Sequence, residues 1–107
     1  MVLKNIKQLL DKTEVPVAYD HWDEPPPLPY ILTNVQGERA YGADISKNLI
    51  HDFTINIELY TDTKDLKIEA IVETALASFS YDKNQSWVDS EQLYVTYYTI
   101  EIKIKEK

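Results

Sequence analysis

Between Phe53 and Tyr60 apolar and polar residues alternate without a break: Phe53, Ile55, Ile57 and Leu59 fall on one side, Thr54, Asn56, Glu58 and Tyr60 on the other. A period of two puts the first set on one face of a pleated strand, so the segment predicts a strand with one buried side, placed centrally in a sheet. Something must cover that side. Ile68, Ile71, Val72, Ala75, Leu76 and Phe79 recur at three- and four-residue intervals, with Lys67, Glu69, Glu73 and Thr74 opposite, which predicts a helix. Asp62 offers an N-cap with an acid, Asp65, three residues on, so the helix is expected over 62–79. Val2, Leu3, Ile6, Leu9 and Leu10 predict a shorter N-terminal helix that Pro16 cannot continue.

The remaining segments read as extended chain. Pro16 to Trp22 is a short extended run, and Tyr30–Val35 is a strand. Gln36-Gly37-Glu38 reads as a turn from which Arg39–Tyr41 returns, and Gly42 to Asp52 reads as a long loop. Asn84–Val88 and Leu93–Ile104 predict a hairpin around Asp89–Gln92. The start of its second strand is apolar on both sides, which a water-facing edge would not be. Its tail, Glu101 to Lys107, alternates charge with isoleucine and suits either a protected edge or a strand that pairs with a neighbouring subunit. The expected fold class is α+β: one domain over 1–107, with a four- or five-stranded, mainly antiparallel sheet packed against the long helix at 62–79 and flanked by the N-terminal helix.

Charge and composition exclude several functions. Eleven basic against eighteen acidic residues give −7, the wrong sign for a surface that tracks nucleic-acid phosphates. With no cysteine there is no disulfide framework and no thiolate metal site, which favours an intracellular origin. No apolar run has membrane-spanning length, and the N-terminus lacks the pattern of a secretory leader, so the protein is expected to be made and used in solution. Catalytic fingerprints for acyl, phosphoryl or hydride transfer do not occur, and two glycines leave little material for a phosphate cradle. No enzymatic activity and no cofactor are expected. Asp20, His21, Asp23, Glu24 and His51 are metal-ligand types, but adjacent ligands on extended chain point apart, so no metal site is expected.

What does stand out is Tyr19 to Tyr30, where two large aromatics besides Tyr19, a histidine, three acids and four prolines fall within twelve residues. Prolines fix φ and hold the preceding residue extended, so residues 24–29 are expected to form a stiff polyproline-like arm. A pre-ordered arm with aromatic ends docks at low entropic cost. Trp22, Pro25, Pro26, Pro27 and Tyr30 are the candidate partner-binding residues, with Asp44 and Lys47 of the 42–52 loop as a second contact. Trp22 is either a core plug beneath the arm or an interface anchor.

Taken together, several segments resemble the small tail-completion proteins of long-tailed phages and prophages of Gram-positive bacteria, known also as tail terminator or head-tail joining proteins. They are the N-terminal helix, Val15-Pro16-Val17, Tyr19-Asp20-His21-Trp22, Pro25-Pro26-Pro27-Leu28-Pro29-Tyr30, Tyr41-Gly42-Ala43-Asp44, Ile57-Glu58-Leu59-Tyr60-Thr61, Lys64-Asp65 and Ser90-Glu91-Gln92-Leu93-Tyr94. The resemblance implies a structural virion protein without an active site, located at the head-tail interface and assembled in the host cytoplasm. It implies a hexameric ring that caps the tail tube, touching the tube protein and the head connector or stopper, with DNA passing through unbound. Six copies would carry about −42 of formal charge, and an acidic bore would keep DNA off its wall. The alternative is a monomeric phage-encoded adaptor or inhibitor that binds a host protein.

Overall fold

A computed structural model describes residues 2–42 and 49–106. Its centre is a mixed five-stranded sheet in the order β1-β2-β3-β5-β4, formed by β1 (Val17–Tyr19), β2 (Tyr30–Gly42), β3 (Leu49–Thr61), β4 (Tyr81–Val88) and β5 (Leu93–Glu106). The alternating segment lies in β3, the middle strand. It pairs antiparallel with β2 on one side and β5 on the other. Ile55, Ile57 and Leu59 are fully buried and meet Ile31, Tyr98 and Ile100 from the flanking strands. Each aliphatic side chain so enclosed contributes about 1.5–3 kcal/mol.

The expected long helix over 62–79, packed against a mainly antiparallel sheet, is not what covers this face. Two ten-residue helices do so instead, α1 (Val2–Asp11), supplying Ile6 and Leu10 to the core, and α2 (Leu66–Ala75), supplying Val72 together with its C-cap residue Leu76. Helix α2 begins late because Asp65, not Asp62, is its cap: the Asp65 carboxylate accepts from the Ile68 N–H at 3.1 Å. Lys64 is held outside by contacts to Glu69 at 3.0 Å and to Gln85 of β4 at 2.6 Å. The helix ends early in tight turns, with the Ala77 N–H bonded to the Thr74 carbonyl and the Phe79 N–H to that of Leu76.

Two further expectations change. Gln36-Gly37-Glu38 is no turn; β2 runs straight through it to Gly42, and the register with β3 shifts between Val35 and Gly37. A glycine inside a strand marks a bulge as readily as a reversal. The segment from 42 to 52 is accordingly strand at both ends, since β3 already begins at Leu49. The hairpin at the other end stands where expected, closed by a short 3₁₀ turn at Asp89–Glu91 with Gln92 at φ 53°.

The proline-rich stretch makes the one parallel connection. β1 pairs parallel with β2 at Val17 to Tyr19, so residues 20–29 carry the chain back along the strand direction as a crossover. Such returns are usually helices of a dozen residues or more. Here prolines do the work without leaving backbone donors to satisfy, and the segment bends at 23–24 and again at 27–29, so it is not a straight rod.

Beyond the core the sheet narrows. β1 stops pairing at Thr33 and β4 at Ile100, yet β2, β3 and β5 continue together to Gly42, Leu49 and Glu106. The result is a three-stranded blade that gives the molecule its 52 × 26 × 25 Å extents.

Candidate docking surface

Strand parity assigns the sheet's second face. Tyr30, Leu32 and Asn34 of β2 lie beside Tyr60, Glu58 and Asn56 of β3, which lie beside Val95, Tyr97 and Thr99 of β5. The core and both helices occupy the opposite side. Tyr30, Tyr60, Glu58 and Tyr97 are half-buried here.

The crossover reaches this face through Trp22. Its ring meets Tyr30 edge-on, centroids 6.0 Å apart at 77°, and Tyr30 stacks on Tyr60 at 4.9 Å and 20°. This file of three rings joins the crossover to the middle strand. The enclosed Trp22 Nε1 donor has no acceptor among the described residues. Burial, then the charge of Glu91, raises the ionisation of Tyr30; burial and the hydrogen bond to Glu58 raise that of Tyr60 far above the ordinary phenol value. Both phenols therefore remain neutral donors. Tyr60 Oη donates to Glu58 Oε1 at 2.7 Å, and Glu58 Oε2 accepts from Asn56 at 2.9 Å and Asn34 at 3.4 Å.

Among the sequence-predicted contact residues, Trp22 and Tyr30 are brought together, Pro26 is half-buried, and Pro25 and Pro27 are exposed. Asp44 and Lys47 lie outside the described residues. His21 stands between Asp20 and Asp23, at 3.3 and 3.4 Å, whereas His51 in β3 meets Glu38 at 3.0 Å and stacks on Phe53. The two histidines thus have separate partners, and among the described residues no three His, Cys, Asp or Glu side chains converge as a metal set.

Sequence reasoning missed Glu58, Tyr60 and Trp87. The first two were legible only as the polar half of an alternating strand; their partners come from β2 and from the crossover. Trp87 sits on the edge strand β4, 43% exposed, with its ring against Tyr94 at 5.1 Å. A tryptophan closing the polar run Asp82–Ser86 was the available signal.

Two edges of the blade also lack strand partners among the described residues: the outer side of β2 past Thr33 and that of β5 past Ile100. Open ladders of this kind offer backbone donors and acceptors to an added strand.

No family model matches the chain, and no curated protein does. Among solved structures, a chain of the virion of a native gene transfer agent particle matches with a TM-score of 0.53 and 13% identity, over 94% of this chain and 84% of that one. The fold is therefore similar to that of a virion chain across nearly its whole length.

Proposed function

We propose that this chain is a structural protein of a phage or prophage virion that completes the tail, closing the tail tube at its head-proximal end as a hexameric ring and joining it to the head connector. The observation that carries the reading is the fold likeness to a gene transfer agent virion chain over 94% of the sequence. The blade with two open edges supports it, because heterologous strand contacts between copies close a ring where the rotation permits. The Trp22–Tyr30–Tyr60 file supports it too, as a pre-ordered aromatic surface outside the core. In this reading the protein works in the virion at the head-tail interface, passes DNA without binding it and carries out no reaction.

Electron microscopy of tails from a phage or prophage lacking this gene tests the proposal, with purified protein added back. Overlong or headless tails rescued by the protein support tail completion. Normal tails joined to heads reject it. Trp22→Ala with Tyr30→Ala should keep cooperative unfolding while abolishing rescue; a double variant that no longer unfolds cooperatively would make the pair core residues instead.

A further inference from the structure

We infer that Glu58, with the tyrosine rings around it on the helix-free face, is a seat for an arginine side chain presented by another protein. The carboxylate is held from three directions, by Tyr60 Oη at 2.7 Å, Asn56 at 2.9 Å and Asn34 at 3.4 Å. All three donors are neutral. They fix the side chain and occupy part of its acceptor capacity but leave its negative charge uncancelled, and no ion pair joins Glu58 to a cation among the described residues. Across the strands Glu58 faces Leu32 on one side and Tyr97 on the other. Tyr30 lies stacked on Tyr60 next along the face.

A fixed carboxylate with tyrosines beside it, one along its own strand and one across the ladder, selects for a flat, weakly hydrated cation. A guanidinium can hydrogen-bond the carboxylate and lie against a tyrosine at once, whereas an ammonium is a more strongly hydrated point charge. One carboxylate is far from the roughly six to eight oxygens that calcium takes. The occupant is a different protein because a second copy brings a further −7 of charge and a single arginine, Arg39. This assignment rests on the geometry of the face and stands apart from the tail-completion reading.

The test is an NMR titration of tyrosine-labelled protein with acetyl-Gly-Arg-Gly-amide, alongside its lysine and citrulline counterparts. Saturable shifts of the Tyr60, Tyr97 and Tyr30 rings are expected with the arginine peptide, about tenfold weaker with citrulline and in Glu58→Gln, and weaker with lysine. Glutamine keeps an oxygen for Tyr60, and an unchanged thermal unfolding curve shows that the variant folds. Glu101→Gln, on the same face but at the blade, should bind as the parent does. Shifts that persist in Glu58→Gln, that follow charge alone by treating lysine and arginine equally, or that fail to appear at millimolar peptide overturn the assignment. So does sedimentation showing that copies of the chain associate through this face and that Glu58→Gln separates them.

Discussion

Glu69 is a carboxylate whose side chain is 4% exposed, and it is stable there because Lys83 and Lys64 close on it at 2.8 and 3.0 Å. Lys83 also reaches Glu73 at 2.7 Å, and the fully buried Tyr98 donates to Glu73 at 2.9 Å. Burial alone would raise the Glu69 pKa, but the hydrogen bonds from Lys83 and Lys64 outweigh it and hold the group below the usual carboxylate range. The Lys83 hydrogen bond lowers Glu73 against a smaller effect of burial, and bonds to Glu69 and Glu73 raise Lys83. Depressed carboxylates stabilise the fold above their unfolded pKa and lose that contribution as pH falls through the folded value; the raised lysine contributes below its unfolded pKa and loses its share as pH rises through the folded one. Urea midpoints measured from neutral to acid pH should therefore decline, with a shallower slope in Glu69→Gln. At neutral pH that variant should be less stable by about 2 kcal/mol, discounted for the exposure of both lysines. Tyr98→Phe, which removes one of two donors to a Glu73 oxygen but keeps the ring packing, should cost about 1 kcal/mol in the same assay. None of this was legible in the helix pattern, where Glu69 and Glu73 read as a solvated face. Lys83 and Tyr98 arrive from β4 and β5, which spacing within one element does not encode.

The elements show which local signals suffice. Period two placed β3 in the middle of the sheet, because strand parity and burial are the same fact there. Helix ends were another matter. Apolar spacing carried on to Phe79, while hydrogen bonds stopped α2 at Ala75, and the choice between Asp62 and Asp65 as cap was settled by which carboxylate met a free N–H. Asp65→Ala should cost about 1 kcal/mol in denaturant unfolding, and Asp62→Ala close to nothing. Past α1 the chain turns through Glu14 at φ 64°, a left-handed conformation that penalises a side chain with a Cβ. Glu14→Gly should raise stability by about 0.5–1 kcal/mol, read from the urea midpoint. Composition did mark residues 20–29 as unusual, but not that Trp22 packs edge-on against Tyr30. That the same prolines form a parallel crossover was hidden, since β1 is three residues long and its direction depends on where β2 lies.

For the whole molecule, charge opposes assembly and shape favours it. Copies at −7 repel, so association of purified protein should strengthen between low and physiological salt as the Debye length shrinks from about 30 Å toward 8 Å. Sedimentation velocity across that range checks it, and loss of association with added salt would mean that attractive ion pairs dominate the contact. Arginine-peptide binding at Glu58 should show the opposite trend. The blade has its own consequence. β3 and β5 share thirteen paired positions from Thr61 with Tyr94 to Leu49 with Glu106, with no break between core and tip. A pull along the blade therefore loads the whole ladder in shear rather than opening one bond at a time. The projecting strands are a cantilever rooted in the core, stiff along their length and able to carry traction from the tip to the body.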